Sequence, residues 1–208
     1  MVKAVKVKIC GITNLKDALS CIDSGADALG FVFYKKSSRY IPPGKARLII
    51  QQLPEKVKKV GIFVNAKEKE IRRIAETCLL DMLQFHGNET PEFCRRFKDL
   101  KVIKAFRVKG CIDKKKIVKY NTCAYLFDTF APDKAGGTGK AFNWQFVKPL
   151  GGLKRPVFLS GGLNAKNVLS AIKCVTPDWV DVSSSVEKAI GKKDINKVKN
   201  FIRKAKRG

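Results

Sequence analysis

The sequence predicts a single (β/α)8 barrel, and three observations predict it. Eight short apolar runs recur along the 208 residues, roughly 20 to 30 residues apart. Polar segments with helical spacing or helix-cap chemistry lie between them, so strand and helix alternate. The first run leads into "CGIT" rather than a Gly-x-Gly-x-x-Gly turn, which disfavours an open, doubly wound dinucleotide fold.

The runs, in chain order, are "AVKVKIC", "ALGFVFY", "VKKVGIFV", "DMLQFH", "KVIKAFRV", "AYLFD", "PVFLS" and "DWVDVS". Their nearly continuous Val, Ile, Leu and Phe content suits parallel strands covered on both faces. Among the connecting segments, "TNLKDALSCIDSG" opens on the cap-type pair Thr13 and Asn14 and closes at Gly25, and "PPGKARLIIQQLP" carries proline at both ends. "NETPEFCRRF" and "NAKNVLSAIKCV" are expected to cap their helices with Asn88 and Asn164. The last segment puts Ile195, Val198, Ile202 and Ala205 on one apolar stripe. No linker or low-complexity tract interrupts the pattern, so residues 1–208 read as one catalytic barrel.

Composition narrows the class. Hydrophobic residues at 45% and charged residues at 29% describe a globular chain. No apolar run approaches the roughly 18 residues that cross a bilayer. The start alternates lysine with valine and lacks a signal peptide's apolar stretch, so a cytoplasmic protein without a membrane partner is expected. Lys and Arg outnumber Asp and Glu by 43 to 18, a net charge of +25. The basic residues are spread along the chain, which favours solvated helix faces over a nucleic-acid footprint and helps draw in a small anion. The seven cysteines are odd in number, with no C-x-x-C pair, and there is one histidine, so a zinc site is poorly supported and reduced thiols are expected.

In a barrel the chemistry sits where strands end. Those ends carry Cys10, the loop with Arg39, Asn65, His86, Arg107, Asp128, Ser160-Gly161-Gly162 and Asp181-Val182-Ser183-Ser184. Taken singly, Cys10 reads equally as a core thiol, Asp128 as a loop cap, Arg39 as a surface arginine and His86 as a structural histidine. The glycine pair and the serines around Gly161, Gly162, Ser183 and Ser184 offer approachable N–H groups and hydroxyls, as a barrel's phosphate site does. Gly136, Gly137 and Gly139 suggest a hinged lid between Asp128 and Trp144.

The ordered set "VKICGIT", "GFVFYKKSSR", "VGIFVN", "LQFHGNE", "FDTFAPDKAGGTGKAFNW", "LSGGLNAKNV" and "VDVSSSVE" resembles the phosphoribosylanthranilate isomerase family of tryptophan biosynthesis, across essentially the whole chain. The resemblance implies a (β/α)8 barrel that uses no metal and no cofactor. It implies a small phosphosugar-anthranilate substrate, no nucleic acid or membrane partner, and a monomer or homodimer. The activity implied is the Amadori rearrangement of N-(5-phosphoribosyl)anthranilate to 1-(2-carboxyphenylamino)-1-deoxyribulose 5-phosphate. The resemblance makes Cys10 the base and Asp128 the acid, assigns Arg39 and His86 to the substrate, and gives Gly161, Gly162, Ser183 and Ser184 to the phosphate. A base must be partly thiolate, so nearby positive charge or amide dipoles are expected to lower the pKa of Cys10, whereas Asp128 must carry a proton, which burial favours. Two related barrels fit less well. The histidine-pathway isomerase uses paired aspartates where this chain has Cys10, and indole-glycerol-phosphate synthase needs a longer N-terminal extension. Ser185 stands where the family has glycine, and strain is expected there if that position needs positive φ. Asn143 replaces an aspartate and can still cap.

Overall fold

Eight parallel strands close into a barrel in the computed structural model, which describes residues 4–129, 143–147 and 153–207. They are β1 (Lys6–Cys10), β2 (Ala28–Val32), β3 (Lys58–Phe63), β4 (Met82–Phe85), β5 (Val102–Val108), β6 (Ala124–Thr129), β7 (Val157–Leu159) and β8 (Trp179–Val182). Each pairs in parallel with the next, and β8 returns to β1 through Lys8↔Asp181 and Ile9↔Val182. All eight predicted runs are strands. The expected lid, around Gly136, Gly137 and Gly139, lies outside the described residues.

Seven α-helices are described: α1 (Leu15–Asp23), α2 (Pro43–Ile50), α3 (Glu68–Thr77), α4 (Pro91–Arg95), α5 (Lys114–Ile117), α6 (Val168–Val175) and α7 (Ile195–Ala205). The cap of α1 is as expected, the Asn14 side chain accepting from the Asp17 N–H at 2.9 Å. Two other caps are shifted. Thr90, not Asn88, caps α4, because Pro91 supplies the first helical φ. Asn167, not Asn164, precedes α6, and its Oδ1 turns back to accept from the Asn164 N–H. On α7 the buried stripe is Val198, Phe201, Ile202 and Ala205, with Ile195 half-buried. A small hairpin of β9 (Glu187–Ala189) and β10 (Lys192–Lys193) follows β8, and the apolar patterning gave no sign of it.

Alternation along the strands sorts residues into two layers. Outward positions such as Val7, Ile9, Leu29 and Phe31 pack against the helices. Inward positions Ala28, Val60, Ile103, Ala105, Ala124, Leu126 and Phe158 form a separate apolar cluster inside the barrel, with Trp179 stacked on Phe158 at 4.8 Å. Towards the C-terminal ends the same inward rows turn polar: Lys8 and Cys10, Gln84 and His86, Asp128, Ser160, Asp181 and Ser183. A closed apolar floor beneath a polar upper layer directs chemistry to that end of the barrel.

Candidate active site

The upper layer opens into a cavity of about 580 Å³, its open mouth included, lined by Cys10, Tyr34, Arg39, Gln84, His86, Asp128, Ser160, Asp181 and Ser183 among others. That size suits a small ligand. Of the predicted strand-end ring, Asn65 and Arg107 stand apart. Asn65 Oδ1 accepts from the Asn88 N–H, and Arg107 Nη2 donates to Asn88 Oδ1 at 3.2 Å.

Cys10 reaches the cavity through two glycines. Gly11 follows with φ +80°, so the chain turns off the strand at once. A Cβ on Gly30, the inward neighbour on β2, would lie 3.0 Å from Cys10 Sγ, so its absence leaves room for the thiol. Burial pushes the Cys10 thiol up; Lys8 pulls it down, Asp181 pushes it up and Lys193 pulls it down, and the net direction is up. The expected cations are therefore present, but the expected net lowering is not. Desolvation outweighs them.

Asp128 is buried at the end of β6. Its Oδ1 accepts from the Thr129 N–H at 2.8 Å, and its Oδ2 is 3.2 Å from His86 Nε2. The other ring nitrogen of His86 is 2.8 Å from Gln84 Nε2. With the Gln84 amide turned so that Oε1, otherwise without a partner, accepts from Nδ1–H, Nε2 accepts from a protonated Asp128 Oδ2, the form an acid requires. The structure thus places His86 in the cavity wall and against the carboxyl. Gln84 had no assignment from the sequence, and its inward parity with His86 is the signal that would have found it.

Arg39 also lines the cavity. Its stem crosses Gly11, where a Cβ would lie 2.6 Å from Arg39 Cδ, and its guanidinium is held by both oxygens of Glu187. Lys193 Nζ completes that knot, 2.9 Å from Glu187 Oε1, 2.6 Å from the Cys10 carbonyl and 3.2 Å from that of Ser183. Glu187 and Lys193 went unassigned because they belong to the unpredicted hairpin.

A second cavity of about 310 Å³ adjoins the first, sharing Asp128, Ser160, Asp181 and Ser183, and is lined further by Gly161, Gly162, Ser184 and Ser185. Gly161 and Gly162 both have positive φ, +86° and +65°. A Cβ on Gly161 would lie 2.5 Å from the Thr129 nitrogen and 3.0 Å from Asp128 Oδ1, so this loop packs on the end of β6 as only glycine allows. Ser185 is not strained. It sits in a 3₁₀ turn (Ser184–Val186) with no positive φ, and its hydroxyl donates to the Leu163 carbonyl, tying the two loops together. Among the described residues no His, Cys, Asp and Glu cluster could hold a metal ion, and no helix is long and apolar enough to cross a membrane.

The family model described as N-(5'-phosphoribosyl)anthranilate (PRA) isomerase matches residues 7–204. The chain belongs to this family. It is an isomerase of tryptophan biosynthesis. An isomerase of the same name from Trichlorobacter lovleyi is 47% identical over 204 residues, covering 97% of this chain and 98% of its own. The crystal structure of the Thermotoga maritima family member superposes with a TM-score of 0.92 at 46% identity, over 98% of this chain and 100% of that one. A solved family member holding reduced 1-(o-carboxyphenylamino)-1-deoxyribulose 5-phosphate has a TM-score of 0.88 at 45% identity, with the same coverage.

Proposed function

We infer that this chain performs the family's Amadori rearrangement with Cys10 as base and Asp128 as acid. One observation carries the assignment: the two side chains stand at the inward ends of β1 and β6 and line one cavity that opens into the glycine–serine pocket. Asp128 gives its proton to the furanose ring oxygen of N-(5-phosphoribosyl)anthranilate. The ring C–O bond breaks and the anthranilate nitrogen becomes an imine nitrogen. Cys10, as thiolate, takes the proton from sugar carbon C2, and the electron pair flows to the nitrogen as an enolamine. Tautomerisation gives the ketone, so no atom is gained or lost. A positioned acid or base typically contributes ~10²–10⁴-fold.

The remaining residues divide the substrate between them. Gly161 and Gly162 offer backbone N–H groups, and Ser183 and Ser184 hydroxyls, to the phosphate. Arg39 faces the anthranilate carboxylate, steered by Glu187. His86 holds Asp128 Oδ2 towards the sugar. The proposal takes residues 1–208 as one catalytic barrel, working as monomer or homodimer in the cytoplasm. It needs no cofactor and no nucleic acid.

The test is the decay of phosphoribosylanthranilate fluorescence with purified protein and no added metal. Catalysed decay supports the reading; a rate no faster than the buffer blank overturns it.

A further inference from the structure

Lys8 is fully buried inside the barrel, two residues before Cys10 on the same inward row of β1. A lysine there is costly unless its charge is paired. Its Nζ lies 2.9 Å from Asp181 Oδ1, the cross-strand partner in register on β8, and Cys10 is the next side chain on the same inward face of β1. Asp181 in turn lines both cavities. The apolar floor begins just below, at Ala28, Val60 and Phe158. Lys8 therefore sits between the floor and the thiol, closed off from solvent.

We propose that Lys8 is a positioning residue for the isomerisation: its buried ammonium stabilises the thiolate that Cys10 forms when it gives up its proton, and Asp181 sets how much of that charge the sulfur receives. This rests on Cys10 as base. In the resting state Asp181 shares the ammonium. When the thiol loses its proton, the same ammonium is already beside the sulfur, and no water needs to enter. The other charged groups near Cys10 are Lys193, from β10, and Arg39, from the loop after β2. Lys193 is spent on Glu187 and two backbone carbonyls, and Arg39 on both oxygens of Glu187. Neither is matched to Cys10 as Lys8 is, by register on the same strand face.

The experiment follows alkylation of Cys10 by iodoacetamide across pH, reading the Cys10 peptide by mass spectrometry, in the native protein, Lys8→Met and Asp181→Asn. Removing the cation should raise the alkylation midpoint by about one pH unit or more, a tenfold loss of thiolate at fixed pH. Removing the competing carboxylate should lower it. A residue that only fills space would shift both variants in the same direction or neither. The rise of kcat with pH should track the midpoint in each variant. A midpoint in Lys8→Met within about 0.3 unit of native overturns the proposal even if turnover falls. If Lys8→Met lacks native near-ultraviolet dichroism, Asp181→Asn decides alone, and a midpoint that is unmoved or raised overturns it. Because alkylation needs no substrate, these results stand apart from the assignment of the base: full turnover in Cys10→Ala would remove the base and leave the midpoints to report on Lys8.

Discussion

Arg39 lays the edge of its guanidinium on the carboxylate of Glu187, Nε 2.8 Å from one oxygen and Nη2 2.7 Å from the other. The residue expected to grip a substrate carboxylate is thus itself gripped by a protein one. Two parallel bonds fix the plane of the fork, and lysine cannot reproduce them. Arg39→Lys and Glu187→Gln should therefore raise KM by about tenfold or more, with a smaller change in kcat. Steady-state kinetics of both variants check this.

Glu187 also gives a pH dependence. Burial pushes its carboxyl up, but the bonds from Arg39 and the charge of Lys193 outweigh that, and its pKa falls below the ordinary carboxylate value. A carboxyl lowered on folding stabilises the fold above its unfolded pKa of about 4.3, and that stabilisation is lost as pH falls through the lowered value. Thermal melts of the native protein and Glu187→Gln should differ most at neutral pH and converge on acidification. A gap that widens towards acid would contradict the pairing.

Ser185 binds loop to loop through its hydroxyl on the Leu163 carbonyl. Restoring the family's glycine removes one hydrogen bond, worth about 1 kcal/mol, or roughly 2–4 °C in Tm for a chain of this size. Ser185→Gly should melt lower by that amount while KM stays within about twofold, because the backbone there is already in an ordinary conformation. Calorimetry and kinetics together check it.

Gly161 tolerates no side chain. Positive φ and the approach of Thr129 act together, so Gly161→Ala should cost about 2 kcal/mol or more and weaken inorganic phosphate as a competitive inhibitor. Gly44, in the first turn of α2, meets nothing within 4 Å, and Gly44→Ala is the control that should leave phosphate inhibition unchanged and cost no stability.

The cysteines should separate by reactivity. Burial pushes Cys21 up to about 12 and Cys94 and Cys123 up to about 11, so all three stay neutral thiols through the working range. Cys111 is exposed. Iodoacetamide at about pH 8 should label Cys111 quickly and leave Cys21, Cys94 and Cys123 unlabelled in the folded protein. Peptide mapping reads this directly.

The barrel was legible because burial on both faces of parallel strands leaves continuous apolar runs, and each such run became a strand. The placement of Cys10 and Asp128 was legible for the same reason: each ends a run. What escaped the letters was the partnership around them. Lys8 sits inside an apolar run, where one lysine among valines reads as a solvated position until closure of the barrel brings Asp181 to it from a strand 173 residues away. Glu187 and Lys193 depend on a hairpin too short to leave a pattern. The charge environment of Cys10 was foreseen in its cations and not in its sign, because desolvation is set by the packing of Gly30 and the strands around the thiol, which spacing does not reveal.

Single-turnover rates of Cys10→Ala and Asp128→Asn, beside their affinity for the reduced product analogue, test the division of labour most directly. The account predicts analogue binding within a few-fold of native and turnover at least ~10²-fold slower in each variant. Near-native turnover in either, or a loss that follows weakened binding alone, would contradict it.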